Sequence, residues 1–341
     1  PTVRAQGGHR ATPPGDAMMC VELFAGAGGA ALGLEAAGIE HLALVEYDAD
    51  ACKTLRAAGL GPVIEGDVRD LDTIAALGEG CDLLWSSFPC QCWSQAGSRL
   101  GAKDPRNGWP WTVAAIDRLK PRWVLCENVR GLLSHAGGCR SESMEDCPRC
   151  YLDGVIIPQL EERFAYASWF LLDAADLGVP QHRRRIIIWA GPKPLQAPAS
   201  THGPPGQGDL FRRLEPWVSM GEALGLKGQR VIGGKGNQFM ERPAPTVTTT
   251  EVKGTRGEHM GARMASGGRR GGVDRASDAL WLATGRRRLT IEECATLQAF
   301  PPNHPWRGTK RSKYSQVGNA VPPPMAQAVA EVLLAADASL T

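Results

Sequence analysis

Met19-Cys20-Val21-Glu22-Leu23-Phe24, Ala25-Gly26-Ala27-Gly28-Gly29 and Ala30-Ala31-Leu32-Gly33-Leu34-Glu35-Ala36-Ala37 follow one another without a break. The first run is a short apolar strand. The second is a glycine turn. The third has a helical pattern, closed by Gly38. Strand, glycine turn and helix in that order make a cradle for a ligand. Glycines permit the turn and let a ligand approach the backbone. The helix start presents amide groups that have no partner within the helix. A single turn of this kind often does no more than connect two elements, so the next strands decide between the two readings.

The pattern repeats. His41-Leu42-Ala43-Leu44-Val45 is a second strand and ends at Glu46. An acid at that place is positioned for a ribose diol. Its distance from Gly28 is close to the ~20 residues expected for that role. Pro62-Val63-Ile64-Glu65-Gly66-Asp67 is a third strand, and Asp67 is placed to accept from an adenine amino group. Plainer readings are a helix cap for Asp48 and a turn acid for Asp67. Together with the spacing, the set favours an adenosine-containing cofactor. No Gly-x-x-x-x-Gly-Lys-Ser/Thr occurs, which argues against a P-loop. Further strands fall at 81–87, 122–126, 167–172 and 185–190. Helices are expected over about 108–119 and 157–164. This alternation predicts an α/β fold, a mostly parallel doubly wound sheet. Ligands then bind at the carboxyl ends of the strands. Gly26, Glu46, Asp67, Cys90 and Glu127 all fall there.

The chain has 341 residues, 43% hydrophobic and 22% charged, which is ordinary globular composition. No apolar run reaches the ~18 residues of a membrane helix, so no membrane association is expected. Residues 1–17 lack an apolar h-region and read as a disordered lead-in. Ten cysteines without a secretion signal fit a reduced cytoplasmic compartment. Residues 253–288 hold nine Lys/Arg against three acids, a local charge of +6 in a chain of net charge +2. A basic segment on an acidic body suggests a polyanion partner, although a solvated face gives the same count.

Phe88-Pro89-Cys90-Gln91 closes the fourth strand and precedes a polar stretch, 94–107. A cysteine there suits a nucleophile. It also suits a plain core thiol, because cysteine is among the most buried residue types.

Five groups of residues occur in a fixed order: Phe24-x-Gly26-x-Gly28-Gly29, Pro89-Cys90-Gln91, Glu127-Asn128-Val129, Gln181-x-Arg183-x-Arg185 and Gly318-Asn319-Ala320-Val321-Pro322-Pro323. In this the chain resembles the cytosine-5 DNA methyltransferases, over about 19–191 and 286–335. The resemblance implies the S-adenosylmethionine-dependent methyltransferase fold, with that cofactor and S-adenosylhomocysteine as product. It implies duplex DNA as partner and a monomer, in a prokaryote or phage, while a cognate restriction endonuclease and a solitary enzyme both stay open. Phe24, Ala25, Gly26, Gly28 and Gly29 would hold the cofactor's methionine part, and Glu46 and Asp67 its ribose and adenine. Pro89, Asn319 and Ala320 would complete the pocket. Glu22 departs from the Asp usual in the family, and Trp93-Ser94 from Phe-Ser. Both are expected to affect packing only.

The resemblance also implies roles in the reaction. Carbon 5 of cytosine is a poor nucleophile until a thiolate adds at carbon 6. Cys90 is the implied nucleophile. A thiol of pKa ~8.5 is only a few per cent ionised at neutral pH, and Arg183 and Arg185 are expected to help it. Glu127 would hold a proton at ring nitrogen 3, and burial at the strand end would favour a carboxyl that carries one. Asn128 is expected to orient it. The target base must leave the helical stack, at a cost of a few kcal/mol. Residues 94–107 read as a closing loop, with Gln91, Ser94 and Arg99 toward the substrate.

Between 192 and 285 the strand–helix alternation stops, and Pro and Gly are dense. This is the expected target-recognition domain, with 18–191 and 286–341 as two parts of one catalytic domain. Arg256 and Arg269 are candidate DNA contacts. His135-x3-Cys139-x7-Cys147-x2-Cys150 is separate from all of this. Its Cys-x2-Cys spacing suits structural zinc, while unligated thiols or a disulfide remain open. An alternative of the same chemistry is an RNA cytosine-5 methyltransferase, and alternatives of other classes are a catalytically inactive DNA-binding relative and a small-molecule methyltransferase. The last would not need the basic segment.

Overall fold

Strands β1 (Met19–Leu23), β2 (Glu40–Glu46), β3 (Val63–Glu65), β4 (Leu83–Ser86) and β5 (Trp123–Val129) run parallel, as the alternation predicts. They belong to a seven-stranded sheet of order β3-β2-β1-β4-β5-β7-β6, completed by β6 (Tyr166–Asp173) and β7 (Arg184–Gly191). The computed structural model describes residues 17–70, 74, 77, 81–89, 106–135, 147–206, 214–226, 241–247 and 289–340. The chain leaves β1 for β2 and β3 on one side, then returns to β4 on the other. The reversal opens a crevice above β1 and β4, where α/β sheets bind their ligands.

One strand of this sheet is reversed. β7 is antiparallel to both β5 and β6. Only residues 174–183 separate β6 from β7, and a parallel crossover needs about a dozen residues or more. The reversal brings the start of β7 to the carboxyl end of β5, with Arg185 opposite Val129.

The strands sort their side chains by period two. Leu84, Val124, Ile186 and Ile188 face the helix Trp109–Leu119 and the helical run after residue 147. Leu83, Trp85, Leu125, Ile187 and Trp189 face the other way, toward α1 (Gly29–Ala36) and the helix Pro323–Ala338. Each such aliphatic side chain, fully buried, contributes about 1.5–3 kcal/mol. The helix expected over 157–164 differs in detail. It is built from Pro148–Tyr151, a π turn Leu152–Ile156 and Ile157–Glu161. Pro158 has no amide to donate, and in a regular α-helix its ring would crowd the carbonyl of Gly154.

Residues after 289 return to the sheet. Thr290 and Glu293 form a reciprocal capping box at the start of Ile291–Leu297. Helix Pro323–Ala338 then lies across α1, at a distance only glycine allows. A methyl at Gly33 would lie 2.2 Å from the Pro323 carbonyl oxygen, and one at Gly29 2.1 Å from that of Val321. Between the two halves, His202–Gly203 pairs with Glu215–Pro216, Ser219 caps a turn of helix Met220–Ala223, and Ala244 bridges to Gln181.

Candidate active site

The carboxyl ends of β1, β2, β4 and β5 enclose a cleft of two joined parts. The smaller, ≈ 220 Å³, is lined by Asp67, Val68, Arg69, Asn107 and Trp111. The larger, ≈ 540 Å³, is lined by Ala25, Gly26, Gly29, Glu127, Arg185 and Asn319 among others. Phe24, Glu46, Tyr47 and Pro89 belong to both. Of the residues expected around a cofactor, Gly28 stands apart. It caps α1 with φ 87°, and a side chain on it would meet Leu55 and Leu60, away from the cleft.

The glycine turn is held by the next strand. Glu46 accepts from the Gly26 amide at 2.8 Å through one oxygen. Its other oxygen accepts from the amides of Tyr47 and Asp48 at 2.9 and 2.8 Å. Burial pushes this carboxyl up, and the three amides oppose that shift. Gly26 takes φ 57° with open space around its Cα. Phe24 also has a positive φ, 58°, rare for a non-glycine residue and common at ligand sites. Asp48 is the cap of helix Ala49–Ala57, accepting from Ala51, so the plainer reading of that acid holds. Asp67 is engaged by Arg69, whose hydrogen bonds hold the carboxyl below its ordinary range.

At the other wall, Arg185 Nε lies 2.7 Å from Glu127 Oε1. Both side chains are largely buried, so Glu127 has a cationic neighbour and not apolar surroundings alone. Asn128 does not orient it. Successive strand residues face opposite ways, and Asn128 donates to the Phe88 carbonyl at 3.1 Å. It thereby braces the backbone just before Cys90. Arg183 is only 1% exposed. It borders the larger part of the cleft, and its two terminal nitrogens donate to the carbonyls of Val247 and Gly318.

Several contributors have weak sequence signals. Tyr47 lines both parts of the cleft and is 72% exposed. An aromatic directly after the acid of β2 was the available sign. Gln181 is buried, accepts from the Val247 amide and donates to Leu297 and Gln298. Gln298 in turn donates to Val317. Glu22 does more than pack. It lines the cleft, is 1% exposed, and lies 3.4 Å from His41, which is 3.5 Å from Glu35 on its other side.

Cys90, Gln91, Ser94, Arg99, Arg256 and Arg269 lie outside the described residues, as does Cys139. Among the described cysteines, burial pushes Cys20 and Cys126 well up and Cys81 up to about 12, so these are packing thiols. His135, Cys147 and Cys150 come together, all ligand atoms within 4.8 Å of one another. Among the described residues no helix is long and apolar enough to cross a membrane.

Comparison with known proteins gives one answer. A sequence model described as C-5 cytosine-specific DNA methylase matches residues 18–207 and 227–335. Type II methyltransferase M.NaeI of Lentzea aerocolonigenes is 33% identical over 336 residues, covering 93% of this chain and 74% of that protein. Type II methyltransferase M.NgoMIV of Neisseria gonorrhoeae is 32% identical, covering 93% and 97%. Among solved structures, the S. pombe Dnmt2 methyltransferase superposes with a TM-score of 0.57 at 16% identity, covering 95% of this chain and 99% of that one. The Entamoeba histolytica methyltransferase EhMeth gives 0.60 at 16% identity, covering 96% and 99%. At those identities the two structures speak for the fold alone. The sequence matches go further, and with them the chain belongs to the C-5 cytosine-specific DNA methylase family.

Proposed function

We propose that this DNA cytosine-5 methyltransferase works through a transient bond from Cys90 Sγ to carbon 6 of a cytosine turned out of duplex DNA. The observation that carries the reading is the Glu127–Arg185 pair, 2.7 Å apart, in the wall of a cleft also lined by Pro89. Pro89 is the residue before Cys90. A carboxyl, a guanidinium and the approach to a thiol thus share one cavity, which the addition requires.

The cleft fits S-adenosylmethionine. Open space beside Gly26 leaves room for a ligand against the backbone, and Tyr47 offers an exposed ring. In this reading Phe24, Ala25, Gly26, Gly29, Asn319 and Ala320 hold the methionine part, and Glu46, Tyr47 and Asp67 the adenosine. Bound there, the cofactor supplies an electrophilic methyl group on a sulfonium. Gly28 then acts only through the shape of the turn.

Cys90 adds as thiolate, and carbon 5 becomes electron-rich. Glu127 holds a proton at ring nitrogen 3, so the charge pushed into the ring is neutralised as it develops. Arg185 fixes that carboxyl. Once carbon 5 carries the methyl group, its proton passes to a water, and elimination breaks the carbon 6–sulfur bond to return the Cys90 thiolate and 5-methylcytosine. Residues 192–285 are the target-recognition part, with Arg256 and Arg269 toward DNA. Anchoring of Val247 by Gln181 and Arg183 supports a fixed seat for that part. The names of the Type II relatives support a cognate restriction endonuclease. A monomer suffices, because one chain carries every group named.

The test incubates the protein and cofactor with mixed-sequence duplex DNA and, separately, RNA, then maps protected cytosines by bisulfite sequencing. Protection at one short DNA sequence, absent with Cys90→Ala, is expected. Equal maps for the two proteins would end the nucleophile assignment, and protection confined to RNA would end the DNA reading.

A further inference from the structure

His135, Cys147 and Cys150 are not used by methyl transfer. His135 follows the short 3-10 turn Arg130–Leu133, which leaves β5 just after the cleft-lining Val129. Cys147 is the first cap of helix Pro148–Tyr151, and Cys150 lies one turn on. Eleven residues of sequence separate His135 from Cys147, yet Cys147 Sγ is 3.7 Å from His135 Nδ1. Cys147 is buried, Cys150 half-buried and His135 exposed.

The distance is informative. A tetrahedral zinc holds sulfur at about 2.3 Å and imidazole nitrogen at about 2.0–2.1 Å, which sets the two donors roughly 3.6 Å apart. The largest separation in the trio is within 4.8 Å, at most about 1 Å beyond the sulfur–sulfur spacing of such a site, roughly 3.8 Å. A rotamer adjustment covers that difference. We propose that His135, Cys147 and Cys150 bind one structural zinc ion.

Three chemical points select zinc. Two thiolates and a neutral imidazole balance a divalent cation, so the buried Cys147 carries no uncompensated charge. Thiolate and imidazole together suit a borderline-soft ion with tetrahedral preference. A Cys147–Cys150 disulfide would use the same two sulfurs, but it gives no reason for an imidazole nitrogen in contact with one of them. Three side chains leave one tetrahedral position, open to water or a further donor. Cys139 lies outside the described residues, and the proposal does not depend on it.

The ion would have structural work to do. It ties the end of β5 to the start of the helical run that covers one face of the sheet. The next residue after Cys150 is Tyr151, buried, whose hydroxyl accepts from Asn107 Nδ2 at 3.0 Å. Asn107 lines the smaller part of the cleft. Beside it Arg149 pairs with Asp153 and stacks over Trp169, 4.8 Å from the ring centroid. The site therefore anchors a cleft wall without touching cofactor or base.

The test uses the full chain, purified without a histidine tag or chelator. Elemental analysis should give one zinc per chain. Replacing the zinc with cobalt should produce thiolate-to-metal charge-transfer absorption with the strong visible bands of a tetrahedral site, which needs no variant. Cys147→Ser and His135→Ala should each lower metal content severalfold. Zinc removal should lower Tm, and added zinc alone should restore it. Folded protein that stays metal-free after incubation with zinc would overturn the proposal. So would Cys147→Ser retaining one zinc per chain, or a native thiol count showing Cys147 and Cys150 oxidised to each other.

Discussion

Arg183 Nη2 donates to the carbonyl oxygen of Gly318 at 2.9 Å, joining the start of β7 to the last turn of the helix Lys310–Asn319. Its other terminal nitrogen holds Val247 at 3.1 Å. A guanidinium suits this work, since its donors lie in a fixed planar fork and stay charged when buried. The residue is a strut between three parts of the chain. Arg183→Met should leave two buried carbonyls short of a donor and cost about 2–5 kcal/mol of stability. Urea unfolding without DNA or cofactor measures it. Unchanged stability with lost activity would assign Arg183 to the chemistry instead.

Arg185 and Glu127 should behave in the opposite way. Glu127→Gln and Arg185→Ala are each expected to lower kcat by two or more orders of magnitude, the size of a lost proton-holding group. Cofactor affinity, read by calorimetry, should change little, because neither residue belongs to the adenosine side. A large loss of cofactor binding in Glu127→Gln would contradict this division.

Two glycines of one turn should fail differently. Gly29→Ala drives a methyl to 2.1 Å from a backbone oxygen of the return segment, which cannot move alone. Overpacking of that kind costs about 1–3 kcal/mol, and Tm should fall. Gly26→Ala meets nothing within 4 Å. Its expected cost is about 1–2 kcal/mol, from the positive φ, with a larger loss in cofactor affinity because the methyl occupies cleft space. Equal effects on both readouts would refute the distinction.

The pH dependence of stability should carry two opposed contributions. Burial pushes Glu22 above its ordinary 4.5, with the hydrogen bond to His41 opposing. A raised acid binds its proton more tightly when folded. Its contribution is full below 4.5 and is lost as pH rises through the folded value. Glu22→Gln should remove that loss, so its stability relative to the wild type should grow with rising pH. Asp173 is the reverse. Burial alone would raise it, but hydrogen bonds from His182, Arg184 and the Ala175 amide bring it below 3.8. Its contribution is present above that value and is lost as pH falls. Asp173→Asn should therefore flatten the acid limb of a Tm–pH curve. A Glu22→Gln curve parallel to the wild type would rule out the first contribution.

What could be read ahead of the structure was local. A strand, a glycine turn and an acid at the next strand end are neighbours in sequence, so Gly26 and Glu46 were expected together, and the 2.8 Å bond joins them. The reversed β7 was within reach too, from the ten residues before it. The opposite facing of Glu127 and Asn128 follows from the period of a strand. What escaped depends on long loops. The carbonyls held by Arg183 lie 64 and 135 positions away, and no local pattern marks a carbonyl. Gln181 stands in one of the quoted motifs, but its partners at Val247 and Leu297, like the partner of Gln298 at Val317, are backbone groups that no local pattern marks. Glu22 reads as a conservative change until His41 is seen behind it.

The helix Pro323–Ala338 closes over α1, the first helix among the described residues. A ribosome makes the two far apart in time. At roughly 5–20 residues per second, α1 waits tens of seconds for its cover. Its apolar face, with Ala30 and Leu34, stays uncovered until then. The cleft also lacks Asn319 and Ala320 until then. A nascent chain thus emerges with the cofactor turn half built, and methylation begins only after everything between the two helices has been synthesised.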